Sequence, residues 1–160
     1  MKKKFVLLVA LLFVSMAANM NTRAFASDEI KWNDFKEGLS LAEKQNKKIF
    51  LYFHADWCTY CKQLKQTTFK DQKVIEYLNN NYINISVNSD KEQTLAKKFA
   101  VRGLPTLFFL KPNMDKITGR PGFIGAEQFL KILKYIHTDN YEKIPFSEYV
   151  KTLSSLNELK

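Results

Sequence analysis

The fold is decided by residues 50–62, which read FLYFHADWCTYCK. The run from Ile49 to Phe53 is apolar and rich in aromatic and β-branched residues, which is the composition of a buried strand. A short polar turn follows, and a helix then begins at the only two cysteines of the chain, Cys58 and Cys61. Their spacing predicts that the first thiol lies at the helix N-terminus and the second lies one turn later, on the same face.

The two thiols form a candidate dithiol–disulfide switch. Unpaired N–H groups give a helix N-terminus a partial positive charge, which stabilises a thiolate. We therefore expect Cys58 to be acidic, exposed and nucleophilic, and Cys61 to be sheltered and to close the ring. A structural staple is disfavoured, because a loop this short removes little entropy from the unfolded chain. Metal binding stays open, since C-x-x-C also occurs as half of a zinc site.

The first 26 residues have the pattern of a secretory signal peptide. Three lysines precede an apolar segment at residues 5–18, and Ala24-Phe25-Ala26 matches the small-x-small cleavage pattern. A membrane span needs about 20 apolar residues, which disfavours the alternative of an uncleaved anchor. We therefore expect an exported protein, periplasmic or otherwise outside the cytoplasm, that begins at Ser27 and has no stable membrane insertion after cleavage.

The 134 residues after the predicted cleavage site are enough for one domain with one core. They carry 21 basic and 16 acidic residues, which gives a net charge of +5. The lysines are scattered, and no arginine-rich stripe with interleaved aromatic residues occurs. This distribution indicates a solvated surface and disfavours nucleic acid as a partner.

Alternating and apolar runs predict the strands. The chain is expected to begin with a lead-in at residues 27–32 that is followed by a first helix. Near the other end, an interruption before the last helix is expected at Gly119, Pro121 and Gly122. The strands are expected at residues 49–53, 82–87 and 107–110, with a short edge strand at residues 116–118.

Helices are expected between these strands. Asp34 is predicted to cap the first helix and Asp90 a short helix after the second strand. A final amphipathic helix is expected at residues 126–137, and residues 141–160 are predicted to form an added C-terminal helix. Alternation of helices and strands predicts an α/β layer fold with crossover connections.

Two separated segments make the chain resemble the thioredoxin superfamily. One is ADWCTYCK at residues 55–62, and the other is GLPT at residues 103–106. TFKDQKV at residues 68–74 adds a similarity to exported thioredoxin-like proteins and to the C-terminal domain of the disulfide-interchange reductase DsbD. The resemblance covers residues 32–137 and implies a thioredoxin-like fold, with a central mixed sheet flanked by helices. We draw the domain at residues 27–140 and the C-terminal extension at residues 141–160.

The resemblance also implies roles for individual residues. It implies a cis peptide bond between Leu104 and Pro105, beside the dithiol, whose backbone pairs with an extended substrate segment. Trp57 is expected to cover the disulfide and shape the docking surface, and Tyr60 to tune the redox potential. His54 is a candidate to tune the thiolate. The alternative, that His54 is a partly buried strand-end residue with no catalytic role, stays open.

Two positions depart from the family pattern. Many members have a buried acid six residues before the first cysteine, and the DsbD-like domain has another acid seven residues after it. This chain has Tyr52 and Lys65 at those positions, and neither supplies a carboxylate. Proton transfer at Cys61 must therefore use water, another residue or a slower route.

Together these features predict a thiol–disulfide oxidoreductase that needs no bound cofactor. The Cys58 thiolate attacks a substrate disulfide, and Cys61 resolves the mixed disulfide, which leaves a redox-active Cys58–Cys61 disulfide. The DsbD-like flanks imply a reductase of protein disulfides that is fed by a membrane electron donor. The same site run in reverse would donate disulfides. Two alternatives are a carrier that holds a soft ion such as Cu(I) between the two thiolates, and a redox-inert docking domain.

Overall fold

The computed structural model describes residues 28–158, and the predicted signal peptide at residues 1–26 lies outside the described residues. Short 3-10 turns lie at Thr68–Lys70 and Asn140–Glu142. The strands and α-helices, in chain order, are β1 (Trp32–Asn33), α1 (Phe35–Gln45), β2 (Ile49–His54), α2 (Thr59–Gln66), α3 (Gln72–Asn81), β3 (Ile83–Asn88), α4 (Gln93–Lys98), β4 (Thr106–Leu110), β5 (Lys116–Pro121), α5 (Ala126–His137) and α6 (Phe146–Glu158).

The strands form one mixed sheet in the order β1-β3-β2-β4-β5. The first three run parallel to one another, and β4 and β5 are antiparallel to their neighbours. The central strand is β2, and all six of its residues are buried. A five-stranded mixed sheet flanked by helices confirms the predicted thioredoxin-like fold.

Alternate residues of β2 enter two hydrophobic clusters, one on each face of the sheet. Phe50 and Tyr52 belong to the first cluster, together with both cysteines and apolar residues of α3 and α5. Ile49, Leu51 and Phe53 belong to the second cluster, against which α1 and α4 pack. The sequence of β2 is apolar throughout because both of its faces are covered.

Two of the expected helix starts differ in outcome. The carboxylate of Asp34 accepts a hydrogen bond from the backbone N–H of Glu37 at 2.8 Å, which confirms Asp34 as the cap of α1. The prediction for Asp90 is wrong, because α4 begins at Gln93 and the residue before it, Glu92, makes no side-chain cap bond. The backbone N–H of Asp90 instead bonds Asn88 Oδ1 at 3.0 Å, in a turn that ends β3.

The edges of the sheet also differ from the expectation. The strand predicted at residues 116–118 continues through Gly119 to Pro121, so the predicted interruption is wrong at these two residues. Proline is tolerated there because β5 is an edge strand and needs hydrogen bonds on one side only. The opposite edge strand, β1, is absent from the sequence-based expectation because two residues are too few to produce an alternating pattern.

The added C-terminal helix is confirmed as α6, which packs on α5. The ring of Tyr135 in α5 lies 5.2 Å from the rings of both Phe146 and Tyr149. The Tyr135 hydroxyl donates a hydrogen bond to the carbonyl of Ile144 at 2.6 Å. The domain boundary drawn at residue 140 stays a prediction. Among residues 28–158, no helix combines the length and the apolar character that a membrane crossing requires.

Gly38→Ala is expected to destabilise the fold, although alanine is usually the better helix former. Gly38 is buried in α1, and a Cβ at this position would collide with the side chain of Ile85 in β3. Overpacking of this kind typically costs about 1–3 kcal/mol, against a gain of about 1 kcal/mol in helix propensity. Urea unfolding of the wild type and of Gly38→Ala measures the change in the free energy of unfolding.

Ile85→Ala is the matched second change, because it removes the Cγ1 and Cδ1 atoms that the new Cβ would meet. Gly38→Ala is expected to destabilise the Ile85→Ala protein less than it destabilises the wild type. A Gly38→Ala single variant that is more stable than the wild type would contradict this account of the packing.

Candidate redox site

The site begins where β2 ends. A turn at residues 55–57 follows His54, and Cys58 is the N-cap residue of α2. The Cys58 sulfur accepts a hydrogen bond from the backbone N–H of Cys61 at 3.1 Å. This sulfur therefore lies at the positive end of the helix, where a thiolate is stabilised.

Cys58 and Cys61 form a disulfide, with their Cα atoms 5.2 Å apart. Cys61 is 1% exposed, which agrees with the expectation that it is sheltered. The expectation that Cys58 is exposed is wrong in this disulfide state, because its exposure is only 4%. The disulfide holds both sulfurs together, and the first hydrophobic cluster packs around them. A substrate therefore needs to approach Cys58 through a small opening.

The peptide bond between Leu104 and Pro105 is cis, as the resemblance implies. Antiparallel pairing places Thr106, the first residue of β4, opposite Phe53 near the end of β2. This register brings the Leu104–Pro105 bond to the end of the sheet that carries the disulfide. Leu104 packs against the first hydrophobic cluster, which contains both cysteines.

The two residues of this cis bond differ in their backbone hydrogen bonds. The carbonyl of Pro105 accepts from the backbone N–H of Gly122 at 2.8 Å. Within residues 28–158, the N–H and carbonyl of Leu104 have no backbone partner. Two backbone groups beside the disulfide are therefore available to an extended segment, and β-addition uses groups of this kind.

Two aromatic side chains flank the disulfide on the surface. Trp57 is 67% exposed and Tyr60 is 60% exposed, so neither is a core residue. The indole N–H of Trp57 donates to the Asp90 carboxylate at 2.9 Å, which fixes one edge of the ring. No local pattern predicts this contact, because Trp57 follows β2 and Asp90 follows β3.

Tyr52 and His54 lie beneath the disulfide, on the β2 face that carries the first cluster. Tyr52 is fully buried, and its hydroxyl donates to the carbonyl of Cys61 at 3.5 Å. Burial raises the pKa of the Tyr52 hydroxyl far above its ordinary value, so this group stays neutral. The His54 ring stacks on the Tyr52 ring, with centroids 5.1 Å apart and planes inclined by 20°.

His54 is buried at the end of β2, and its Nδ1 atom has no hydrogen-bond partner among the described residues. Burial is the main cause that lowers the pKa of the His54 imidazole. The positive charges of Lys65 and Lys91 lower this pKa further, and the negative charge of Asp56 opposes them. The imidazole is therefore neutral at neutral pH and is able to accept a proton.

The other histidine of the chain, His137, is not part of this arrangement. His137 is the last residue of α5, and its Nδ1 atom pairs with the Tyr77 hydroxyl at 3.1 Å. Across residues 28–158, no group of three or more His, Cys, Asp or Glu side chains is arranged to hold a metal ion. A soft-ion site would therefore consist of the Cys58 and Cys61 thiolates alone, after reduction of the disulfide.

A family model described as a thioredoxin-like domain matches residues 35–137, which is more than half of the chain. The chain is also similar to the thiol:disulfide interchange protein DsbD of Yersinia pestis, with 39% identity over 99 residues. This match covers 59% of the present chain and 17% of the relative. The chain thus spans less than a fifth of the curated relatives it matches first.

Solved structures share the same fold. A thioredoxin from Thermus thermophilus superposes with a TM-score of 0.62 and 29% identity, over 68% of this chain and 87% of that one. A thioredoxin-fold protein from Helicobacter pylori superposes with a TM-score of 0.64 and 18% identity, over 83% of this chain and 96% of that one. At 18% identity, the second likeness concerns the fold alone.

Proposed function

This chain belongs to the thioredoxin-like domain family, and from that premise we propose that it is an exported thiol–disulfide oxidoreductase that reduces disulfides in other proteins. The observation that carries the proposal is the position of Cys58. Its sulfur lies at the N-terminus of α2, is joined to Cys61, and lies at the same end of the sheet as the cis Leu104–Pro105 bond.

The reaction is two successive thiol–disulfide exchanges. The Cys58 thiolate attacks one sulfur of the substrate disulfide and forms a mixed disulfide, and the other substrate sulfur leaves as a thiolate. Cys61 then attacks the Cys58 sulfur and releases the second substrate thiolate. The substrate is reduced by two electrons, and the protein is left with the Cys58–Cys61 disulfide.

The surface around the disulfide suits an extended polypeptide substrate. The N–H and carbonyl of Leu104, which have no backbone partner within residues 28–158, supply one donor and one acceptor for a substrate backbone. Trp57 and Tyr60 supply exposed aromatic area on either side of Cys58. A flexible segment with a disulfide is therefore a better substrate for this surface than a small molecule.

Each turnover consumes two electrons, so the oxidised protein needs a reductant before it acts again. The similarity to an interchange protein and the signal-peptide pattern at residues 1–26 support a membrane electron donor that serves the protein outside the cytoplasm. Export also has a direct test. The protein recovered from the extracytoplasmic fraction is expected to begin at Ser27, and recovery of the uncleaved chain from the cytoplasm alone would contradict export.

The reductase activity is tested with insulin, whose interchain disulfides yield a precipitate when they are reduced. The protein with dithiothreitol is expected to accelerate precipitation well beyond dithiothreitol alone. The matched control is the Cys58→Ser protein, which is expected to give the uncatalysed rate. Equal rates for the wild-type protein and this control would contradict the proposal, and Cu(I) titration of the reduced protein would then test the carrier alternative.

A further inference from the structure

The resolving step poses a specific problem for this site. Cys61 is almost completely buried, and its thiol must lose a proton before its sulfur attacks the mixed disulfide. Burial in apolar surroundings opposes the formation of a thiolate. A nearby base would therefore accelerate the step.

Few buried groups are able to serve as that base. Among residues 28–155, whose side chains the structure describes, the buried polar or charged side chains are those of His54, Thr68, Asn84 and Thr106. The two threonine hydroxyls donate to backbone carbonyls, and an amide is not a base at neutral pH. His54 is thus the buried polar side chain in this set that is able to take a proton.

Two contacts, both made by Tyr52, connect His54 to Cys61. Tyr52 bonds the Cys61 carbonyl with its hydroxyl and stacks on the His54 ring, so it contacts both residues. Lys65 lies four residues after Cys61, and its positive charge lowers the pKa of His54. The two Tyr52 contacts place the end of β2 that carries His54 next to the turn of α2 that carries Cys61.

The Nδ1 atom of His54 is unusual independently of these contacts. It is buried and has no hydrogen-bond partner within the described part of the chain, in the disulfide state. A buried polar atom without a partner destabilises a fold and calls for an explanation, which a redox role supplies. Reduction creates new donors at this place, because each sulfur of the opened disulfide is able to carry a proton.

We propose that His54 accepts the proton of the Cys61 thiol during the resolving step, and that Tyr52 is the positioning residue that holds His54 and the backbone of Cys61 together. The inference rests on the thiol–disulfide exchange proposed above. It assigns to a neutral imidazole the proton transfer for which this chain has no buried carboxylate among its described residues.

The Cys61 thiol gives its proton to the imidazole, and the electron pair left on its sulfur forms the bond to the Cys58 sulfur. The bond between the Cys58 sulfur and the substrate sulfur breaks, and the substrate leaves as a thiolate. The imidazolium then passes its proton to that thiolate or to water, which restores neutral His54.

Charged neighbours set the pH range of the base. Lys65 from α2 and Lys91 from the loop after β3 disfavour the imidazolium, while Asp56 from the active-site turn favours it. Because its pKa is lowered, His54 is a neutral imidazole at neutral pH, and one ring nitrogen is able to accept a proton before substrate binds. Below that pKa, the protonated ring is unable to accept a proton, and resolution slows.

His54→Phe is the direct test, because it keeps a ring on Tyr52 and removes both nitrogens. The reduced protein reacts with 5,5′-dithiobis(2-nitrobenzoate) in two phases, since attack by Cys58 releases one thionitrobenzoate and resolution by Cys61 releases the second. At neutral pH, His54→Phe is expected to slow the second phase at least about tenfold more than the first, as loss of a general base requires. The difference between the second-phase rates of the wild type and His54→Phe is expected to become smaller as the pH approaches about 8.5, where an ordinary thiol ionises without a base.

Three proteins serve as controls for this experiment. His137→Phe changes the other histidine of the chain and is expected to leave the ratio of the two phases unchanged. Cys61→Ser identifies the first phase, because it lacks the second. His54→Gln keeps a polar side chain that does not titrate, and it is expected to slow resolution as His54→Phe does. The proposal would be overturned if the ratio of the second-phase rate to the first-phase rate in both His54 variants equalled that of the wild type.

Thermal unfolding separates a role in the reaction from a structural role. His54→Phe removes a buried nitrogen without a partner, so its melting temperature is expected to equal or exceed that of the wild type. Slow resolution in a protein of unchanged or higher stability supports the role of His54 as a base. Slow resolution that accompanies a large loss of stability in both His54 variants would overturn that role.

The disulfide reagent in this experiment is not a protein. A failure with insulin alone would therefore contradict the reductase proposal and leave the role of His54 standing.

Discussion

Cys61→Ser is expected to stop turnover and to leave the protein covalently attached to its substrates. Cys58 keeps its place at the N-terminus of α2 in this variant, so the first exchange still forms a mixed disulfide. Nothing then attacks that disulfide from within, because Cys61 is the only other cysteine of the chain. Nonreducing gel electrophoresis followed by mass spectrometry identifies the attached proteins.

Cys58→Ser is the matched control for this trap. It also loses turnover, but it is expected to yield no stable adducts, because Cys61 is buried beneath the site and does not reach a docked substrate. Full turnover by Cys61→Ser would contradict the mechanism with two cysteines. Equal adduct yields from the two variants would contradict the assignment of Cys58 as the attacking residue.

Phe50→Ala is expected to produce the largest loss of stability among single changes in the core. Phe50 is fully buried in β2, and its ring lies 5.3–6.0 Å from the rings of four other aromatic residues. Truncation of a buried phenylalanine costs about 3–5 kcal/mol. Since a domain of this size is stable by only about 5–15 kcal/mol, the urea midpoint is expected to fall steeply.

Phe123→Ala is the control for Phe50→Ala, because Phe123 is one of the exposed large apolar residues of the surface. Phe123 keeps 36% of its surface exposed, so its truncation removes the same atoms without opening a closed cavity, and it is expected to cost clearly less stability than Phe50→Ala. Similar urea midpoints for the two variants would contradict the account of the first hydrophobic cluster.

The sequence predicts the centre of this fold better than its edges. The run around Phe50 identifies β2 because a strand that is buried on both faces has a continuous apolar sequence. Asp34 identifies the start of α1 because a cap is a local contact within three residues. The strand β1 has neither kind of signal, because two residues show no period.

Contacts between distant segments explain the other differences. Asp90 is of a residue type that often caps helices, yet its carboxylate accepts a hydrogen bond from the indole of Trp57, 33 positions away in the chain. Gly119 and Pro121 are residues that usually interrupt a strand, but both belong to β5, which ends at Pro121, because that strand lies at the edge of the sheet. Local sequence patterns carry no information about the contact between Asp90 and Trp57 or about the edge position of β5.

The site was accessible to prediction to a similar degree. The spacing of Cys58 and Cys61 predicts the disulfide, the family resemblance implies the cis bond before Pro105, and the structure contains both. The burial of Cys58 was not indicated, because it depends on how the first hydrophobic cluster closes around the disulfide. The sequence named Tyr52 and His54 as unusual residues, but only their stacking shows them as one unit.

The reduction potential of the Cys58–Cys61 pair tests the central claim most directly. The mature protein is equilibrated with mixtures of reduced and oxidised glutathione, and the fraction of disulfide is measured at each ratio. The proposed reductase is expected to have a potential near that of thioredoxin, about −270 mV. A potential near about −120 mV, the value of a strong disulfide donor, would contradict the proposed direction of electron flow.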